Sequence, residues 1–205
     1  MSGLIKTGWL ARLGSKGPLV YGAMPNGPGV RKDLIACLLA VLRKMAPEEG
    51  KYLEQGTVVL KAEPLGRPVL FVGGKPGPGV SFSKAGEWLW GVLAAQGRVG
   101  LDVALISEFR PPYPYSRVFL PEEWQWAWTF SQGDTLRAAA LLWAAKEAAV
   151  KALGVGFHHW EPSVMKVKYQ QTLGEGLALE VETLWAWVTA WACYLEDGCL
   201  ALAVV

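Results

Sequence analysis

The sequence predicts an α+β fold made of two similar lobes, a pseudo-dimer in which each lobe packs a helix on an antiparallel sheet. Two observations predict it. Each half of the chain holds a helical segment followed by short strand-like segments, and the turn signals between these segments are typical of antiparallel hairpins. The chain has 205 residues, of which 52% are hydrophobic, which is enough for two small lobes that share a core. We expect the lobes to comprise residues 1–97 and 98–205.

The first half is predicted to start with a loop, because residues 14–29 are rich in Gly and Pro. A helix follows over about residues 32–45, where apolar side chains recur at helical spacing, and Pro47 ends it. Two short strands are predicted next, over residues 57–62 and 69–72. The segment GGKPGPG (73–79) is predicted to be a turn, since its two prolines remove backbone donors that a phosphate-binding loop needs.

The middle of the chain and its C-terminal part supply the remaining strands. Residues 88–95 and 99–106 are predicted to pair as a hairpin through the turn Gln96-Gly97-Arg98. Four further strands are predicted, over residues 164–170, 177–181, 185–194 and 199–205. The last two are joined at Glu196-Asp197-Gly198, which is a strong hairpin signal.

Two helices are predicted between these strands. The first begins near Pro121, with two glutamates in its first turn, as the helix dipole favours. The second runs from about Asp134 to Leu153 and ends at Gly154. Its last part, WAAKEAAVKALG (143–154), is rich in alanine, so it is predicted to pack closely against a neighbour, and yet it carries three charged residues.

The charges are unevenly distributed, although the formal net charge is only +2. Residues 1–100 hold 13 basic and 6 acidic side chains, whereas residues 101–205 hold 7 and 12. Two explanations stay open. The basic half is either an ordinary solvated face, or it holds an anion site while the acidic half holds a metal site.

Other totals argue against several classes of protein. Apolar runs fall short of the roughly 20 residues that a membrane span needs, and the N-terminus lacks the features of a secretion signal, so we expect no membrane partner. The cysteines are odd in number and scattered, at Cys37, Cys193 and Cys199. This argues against a disulfide framework or a zinc site and favours a reducing, cytoplasmic setting. No nucleic-acid partner is expected.

The candidate chemistry begins with two carboxylates. Glu147 and Lys151 lie four residues apart on one stripe of the predicted helix, where such a pair is usually a solvated ion pair. Asp102 lies in the apolar segment VGLDVALIS, where a carboxylate is unfavourable unless it is paired, binds a cation or caps a turn. Together, Asp102 and Glu147 suit a hard, oxygen-ligated ion such as Mg²⁺.

The candidates for anion binding lie earlier in the chain. The segment GVSFSKAGEW (79–88) offers Ser81, Ser83 and Lys84 just before a predicted strand, and Arg67 lies in the turn PLGRP (64–68). Each of these is also an ordinary loop residue. Taken together, their hydroxyl groups and cations suit the binding of phosphates.

Four motifs follow one another along the chain: Gly-Arg-Pro, Ser-x-Ser-Lys-x-Gly-x-Trp, Gly-Leu-Asp-Val and Trp-x-x-Lys-Glu-Ala-x-x-Lys. Their order resembles the 4′-phosphopantetheinyl transferase superfamily. The chain length and the two-lobed order look like its surfactin-synthetase type rather than its short trimeric type. The resemblance covers about residues 64–154 and the final strand LALAVV. The helix motif and the upstream Gly-Leu-Asp-Val are specific as a pair.

The resemblance implies roles for four residues of the second lobe. Asp102 and Glu147 correspond to the family's Mg²⁺ ligands, and Lys151 corresponds to a lysine that contacts the phosphates of coenzyme A. Lys146 corresponds to the lysine of the family's Lys-Glu pair. These four residues form the expected catalytic set.

The first lobe is expected to bind the phosphates of coenzyme A. Arg67 corresponds to a basic residue near the 3′-phosphate, and Ser83 corresponds to a serine of the family's Ser-His-Ser-Gly stretch. Lys84 takes the place of the histidine in that stretch and can still pair with a phosphate. Arg31 or Lys32 corresponds to a basic residue before the first helix.

One further departure concerns the metal site. The surfactin-synthetase pattern has a glutamate two residues after the strand aspartate, and this chain has Ala104 there. Residues two apart on a strand share a face, so a carboxylate at position 104 is expected to reach the same ion as Asp102. The metal site is therefore predicted with two protein carboxylates.

The implied activity is transfer of the 4′-phosphopantetheine arm of coenzyme A to a serine of an apo acyl or peptidyl carrier protein. The reaction releases 3′,5′-ADP and uses Mg²⁺ as cofactor. The alternative is a catalytically weakened module that binds coenzyme A or a carrier protein. Because both lobes lie in one chain, we expect a monomer.

Overall fold

Antiparallel strands and helices build the molecule, and the predicted α+β class is confirmed. The computed structural model describes residues 6–14, 16–50, 56–155 and 161–205. The strands, in chain order, are β1 (Lys6–Leu10), β2 (Leu19–Pro25), β3 (Val58–Ala62), β4 (Pro68–Val72), β5 (Lys75–Pro76), β6 (Gly79–Ala85), β7 (Trp88–Ala94), β8 (Val99–Leu105), β9 (Lys166–Leu173), β10 (Gly176–Glu182), β11 (Trp187–Tyr194) and β12 (Gly198–Val204). The helices are α1 (Val30–Met45), α2 (Pro47–Gly50), α3 (Tyr115–Val118), α4 (Pro121–Phe130) and α5 (Thr135–Leu153), with 3₁₀ turns at Ile106–Phe109 and Pro162–Val164.

The first main sheet has the strand order β1-β2-β7-β6, and all of its pairings are antiparallel. Helix α1 packs on one face of this sheet through a stripe of buried aliphatic residues, in agreement with the predicted helix. Gly91 on β7 makes the packing close, because a Cβ atom there would lie only 2.8 Å from Leu34 Cδ2.

The second main sheet has the strand order β8-β12-β11-β10-β9, again antiparallel throughout. Helix α5 packs on its outer face through a run of buried alanines. Asp134 caps the start of α5, since its Oδ1 accepts the backbone N–H groups of Leu136 and Arg137 at 3.0 Å. Gly154 ends the helix in the left-handed conformation, with φ of 80°. The predicted bounds of this helix are confirmed.

The two main sheets pack face to face, and the side chains between them form a separate hydrophobic core. Along β7, Trp90 and Val92 face the second sheet, whereas Leu89 and Leu93 face α1. The order of layers is therefore α1, first sheet, second sheet and α5. Strand β8 is an outer strand of its sheet, and its edge lies beside β6 of the other sheet.

A small third sheet, β3-β4-β5, completes the first half. Leu70 and Val72 of β4 join the core beneath α1. The turn between β3 and β4 carries Arg67, and a Cβ atom on Gly154 would lie 3.2 Å from Arg67 Cδ. This sheet thus brings the turn that precedes β4 to the C-terminal end of α5.

The predicted hairpin of residues 88–95 with 99–106 is wrong. Strand β7 pairs with β2 and β6, whereas β8 pairs with β12, so the turn between them carries the chain from one sheet to the other. Strand β2 lies inside the segment predicted as a loop over residues 14–29. The segment expected as a loop before β7 forms strand β6. Glycines and prolines in these segments suggested loops, but pairing with β7 outweighs those local preferences.

Each main sheet carries one long helix on its outer face, as the expected lobes require. The similarity of the two lobes and the boundary between residues 97 and 98 stay predictions. Among the described residues, no helix combines the length and the apolar character that a membrane span needs.

Candidate active site

Asp102 lies near the middle of β8 and is only 6% exposed. Its Oδ1 atom accepts a hydrogen bond from Ser83 Oγ at 2.9 Å and another from Lys151 Nζ at 2.7 Å. A carboxylate this buried needs such partners, because burial without them is strongly unfavourable. Hydrogen bonds from β6 and from α5 therefore explain how a carboxylate can lie in this apolar strand.

Close contact between β8 and α5 holds Asp102 against the helix. A Cβ atom on Gly100 would lie 1.9 Å from the carbonyl oxygen of Ala148 and 2.6 Å from the backbone nitrogen of Ala152. No side chain larger than hydrogen fits at position 100 without moving the helix. The alanines of α5 contribute to the same approach, because their side chains are the smallest that a helix favours.

Lys151 joins the helix to the strand. Its Nζ donates to the Leu101 carbonyl oxygen at 3.1 Å as well as to Asp102. The side chain remains 30% exposed, so one side of the ammonium group faces a cavity. Lys151 can therefore neutralise Asp102 and still meet an anionic ligand.

Glu147 lies one turn earlier on α5 and lines the same cavity. Burial raises the pKa of the Glu147 carboxyl above its ordinary value of 4.5, and the Asp102 carboxylate raises it further, while the Lys151 ammonium lowers it. Two carboxylates that disfavour each other's charge are a favourable setting for an additional cation.

The donor set fits a hard divalent cation. Within the described ranges, Asp102 Oδ2 and both carboxylate oxygens of Glu147 accept no hydrogen bond, so three oxygen atoms are available as ligands. Mg²⁺ is commonly held by one or two carboxylates, with water and substrate phosphates completing its coordination. In the part of the chain that the structure describes, no group of three or more His, Cys, Asp or Glu residues is arranged to hold a metal.

A cavity of about 610 Å³ opens beside these residues. The β3–β4 turn, β6 and the last turns of α5 form most of its walls, and the polar and aromatic lining includes Arg31, Arg67, Ser81, Phe82, Glu147 and Lys151. Its volume lies within the range that is common for small-molecule sites, roughly 300–1,000 Å³. Cations from both halves of the chain therefore line the same cavity as the Glu147 carboxylate.

Arg67 is held at the cavity by Glu63. Its Nε and Nη2 atoms donate to the two Glu63 carboxylate oxygens at 2.9 and 2.6 Å. This bidentate pair is the geometry in which a guanidinium group also binds a phosphate. Hydrogen bonding to Arg67 is the main reason that the pKa of Glu63 lies below its ordinary value.

A second cavity of about 810 Å³ adjoins the first, and both are lined by Arg31 and Leu60. Lys84 lines this second cavity and not the first, as does Lys32 at the start of α1. The Arg31 guanidinium lies over the Phe82 ring at 5.5 Å, near the junction of the two spaces. The structure therefore separates Lys84 from Arg67, although both were expected at the phosphates.

Lys146 is not brought together with the other three expected catalytic residues. It is fully buried, and its Nζ donates to the carbonyl oxygens of Val118 and Pro162 and to Glu123 Oε1. Successive helical residues point about 100° apart, which turns Lys146 away from the cavity that Glu147 faces. Its three protons are all used in contacts that tie α5 to α3, to α4 and to the 3₁₀ turn at Pro162–Val164.

The expected place of a third carboxylate is filled by hydrophobic core. Ala104 shares the face of β8 with Asp102, but it is 1% exposed and packs in the alanine-rich core under α5. Glu108, in the 3₁₀ turn after β8, also lies near Asp102 and was not predicted from the sequence. Burial raises the pKa of Glu108, a hydrogen bond from Leu105 N lowers it, and the Asp102 carboxylate raises it again. No sequence motif distinguished Glu108 or Phe82.

A comparison with curated proteins finds no match to this chain. A family model described as the 4′-phosphopantetheinyl transferase superfamily matches residues 98–187. This range includes the strand aspartate and the helix motif, but it begins after Arg67 and the serines of β6. The resemblance to the superfamily is thereby confirmed for this range. Residues 98–187 therefore match a domain of the 4′-phosphopantetheinyl transferase superfamily.

Proposed function

We propose that the protein is a 4′-phosphopantetheinyl transferase of the surfactin-synthetase type, with its two halves forming similar lobes. It would transfer the phosphopantetheine arm of coenzyme A to a serine of an apo acyl or peptidyl carrier protein. One observation carries the proposal: Asp102, Lys151 and Glu147 cluster beside a cavity that Arg31 and Arg67 also line. The family match over residues 98–187 supports the same activity.

Coenzyme A carries a pyrophosphate and a 3′-phosphate, so its site needs several cations. Arg67 and Lys151 line the first cavity, and Arg31 lies where the first and second cavities meet. We assign the 3′-phosphate to Arg67 and the pyrophosphate to Lys151, because Lys151 is the cation beside the carboxylates. Lys84 would meet the part of the ligand that extends into the second cavity.

Asp102 and Glu147 would hold Mg²⁺. When bound, the ion would offset negative charge on the phosphate oxygens that the reaction involves. The other contributions come from side chains of the protein. Asp102 is oriented by Ser83 and Lys151, and the Lys151 ammonium stabilises charge that develops on the pyrophosphate.

The reaction would join the carrier serine oxygen to the β-phosphorus of coenzyme A. The bond from that phosphorus to the bridging pyrophosphate oxygen breaks, and 3′,5′-ADP leaves with the electron pair. The serine proton needs an acceptor near the cavity. Glu147, whose pKa is raised chiefly by burial, is one candidate acceptor, and a water molecule beside it is the other.

We assign Lys146 a positioning role instead of contact with the reacting atoms. The buried pair with Glu123 anchors α5 at the residue next to Glu147. The orientation of α5 determines where Glu147 and Lys151 stand relative to Asp102. Loss of Lys146 would therefore affect the reaction through the helix.

The alternative is a binding module with weakened catalysis. Ala104 favours this alternative, because its place in the hydrophobic core leaves the site without the additional strand carboxylate. A module of this kind would bind coenzyme A without a requirement for Mg²⁺. An active transferase should bind coenzyme A more tightly when Mg²⁺ is present.

The decisive experiment combines the purified protein with coenzyme A, Mg²⁺ and a panel of apo carrier proteins. Mass spectrometry should detect addition of the phosphopantetheine arm to at least one carrier. The Glu147→Gln variant keeps the size of the side chain, and its transfer rate should fall about 100-fold or more. Calorimetric titration of coenzyme A with and without Mg²⁺ separates the two functions. The same Kd for coenzyme A with and without Mg²⁺, together with no transfer to any carrier, would favour the binding module.

A further inference from the structure

Ser81 and Ser83 occupy equivalent places on β6, two residues apart on the face that meets the edge of β8. Ser81 Oγ accepts the backbone N–H of Leu101 at 3.1 Å, and Ser83 Oγ accepts the N–H of Val103 at 3.3 Å. Both serines are buried. As hydrogen-bond acceptors, they therefore have the same function at the joint between the two sheets.

The two serines differ as hydrogen-bond donors. Ser83 donates its hydroxyl hydrogen to Asp102 Oδ1 at 2.9 Å, and Ser83 is not among the residues that line the first cavity. Ser81 lines that cavity with Glu147 and Lys151. Within the described part of the chain, the Ser81 hydroxyl donates to no acceptor. Its hydrogen is thus available to a ligand, whereas that of Ser83 is already used.

From this difference, and resting on the proposed function, we infer that Ser81 donates a hydrogen bond to a phosphate oxygen of bound coenzyme A. Ser83 is a positioning residue that orients Asp102. A hydroxyl group that donates to an anion forms a charge-assisted bond. Because Ser81 Oγ also accepts the Leu101 N–H, that contact polarises the O–H group and strengthens its donation.

The two alanine variants form a matched pair, since each removes one acceptor for a β8 N–H group from the same edge. In calorimetric titrations without Mg²⁺, Ser81→Ala should raise the Kd for coenzyme A about tenfold or more. Ser83→Ala should raise this Kd clearly less than Ser81→Ala does. Ser81→Thr keeps the hydroxyl and should retain most of the affinity, which separates the lost hydrogen bond from a general disturbance of the edge.

The positioning role of Ser83 has its own measurement. With coenzyme A bound, Ser83→Ala should weaken Mg²⁺ binding about 10-fold or more, as is typical when a group that orients a metal ligand is removed. Ser83→Thr should restore it. Ser81→Ala should weaken Mg²⁺ binding to the coenzyme A complex clearly less than Ser83→Ala does.

The outcomes distinguish this inference from the proposed function. If the unsubstituted protein does not bind coenzyme A, the proposed function is overturned and this inference falls with it. If the unsubstituted protein binds coenzyme A and both alanine variants lose the same affinity, only the assignment of the serines is overturned. If the Ser81→Ala variant binds coenzyme A with the Kd of the unsubstituted protein, the assignment of Ser81 to the phosphate is likewise overturned.

Discussion

Lys151 Nζ lies 2.7 Å from Asp102 Oδ1, so a single ammonium group links the last turns of α5 to the middle of β8. The same ammonium group also contacts the Leu101 carbonyl oxygen. The carboxylate that we propose for Mg²⁺ is therefore already neutralised by a cation from the protein. Entry of Mg²⁺ and of a phosphate would redistribute these contacts, because each offers Lys151 or Asp102 a new partner.

The first prediction concerns this pair. Lys151→Met keeps the length of the side chain but removes its charge. Mg²⁺ should then bind more tightly to the protein without coenzyme A, because no ammonium group competes for Asp102. Coenzyme A should bind about tenfold or more weakly, through loss of a charge-assisted contact. Calorimetric titrations measure both. Lys168→Met, which breaks an exposed pair with Glu182, serves as the control. Unchanged or weaker binding of Mg²⁺ would contradict competition at Asp102.

The second prediction concerns pH. The pKa of Glu147 is raised in the folded protein, chiefly by burial. The neutral Glu147 carboxyl is tolerated in the folded protein at a pH below its pKa in the unfolded chain. As the pH rises through its pKa in the folded protein, the carboxyl ionises and the free energy of unfolding decreases. Glu147→Gln has no such loss. Without Mg²⁺, this variant should be more stable than the unsubstituted protein at pH 8, and the difference should shrink toward pH 4. Urea unfolding at both pH values measures it, and a constant difference would contradict the argument.

The third prediction concerns the buried pair of Glu123 and Lys146. Glu123→Gln leaves the ammonium group buried without its counter-charge, which should lower the free energy of unfolding by about 3–5 kcal/mol. The neighbouring Glu122 is exposed and lies 3.9 Å from Lys166, so Glu122→Gln is the matched control and should change stability by less than about 1 kcal/mol. Urea unfolding of both variants measures this. Equal effects would mean that the buried pair has no special role.

The fourth prediction tests the assignment of the 3′-phosphate. Arg67→Ala should weaken binding of coenzyme A more than binding of 3′-dephospho-coenzyme A, by about 1.5–3 kcal/mol. Lys75→Ala removes an exposed cation from β5 that lines neither of the two cavities. It should affect the two ligands equally. If Arg67→Ala weakens both ligands to the same extent, Arg67 does not contact that phosphate.

The fifth prediction concerns Ala104. The expectation that a glutamate there would add a metal ligand does not suit the structure, because the position lies inside the core under α5. Ala104→Glu should instead lower the free energy of unfolding by about 3 kcal/mol or more, through overpacking and a buried charge. Ala40 is exposed on α1, and Ala40→Glu should change stability by less than about 1 kcal/mol. Thermal unfolding compares the two variants. A stable Ala104→Glu protein with tighter Mg²⁺ binding would restore the original expectation.

The parts of the fold that the sequence predicts correctly depend on local chemistry. The bounds of α5 follow from a capping aspartate, a helical run and a terminal glycine, all within one segment. The partner of β8 does not depend on such signals. A short turn containing Gly97 looks the same whether it closes a hairpin or carries the chain to another sheet, and only packing of the whole molecule decides between them.

In the candidate site, too, features that depend on local sequence were predicted and features that depend on tertiary packing were not. A spacing of four residues was enough to place Glu147 and Lys151 on one stripe of a helix. The sequence could not reveal that Lys146 is buried against Glu123, because the two residues are far apart along the chain. Nor could it separate the roles of Ser81 and Ser83, which depend on how the edge of another sheet lies against β6.

Strand β8 is an outer strand of its sheet, and an open edge of this kind can pair with a strand from another molecule. The Leu101 and Val103 N–H groups on that edge are satisfied by the hydroxyl groups of Ser81 and Ser83 within the same chain. The strand that carries Asp102 is therefore protected against edge-to-edge aggregation by two side chains, with no need for a continuous ladder between the sheets.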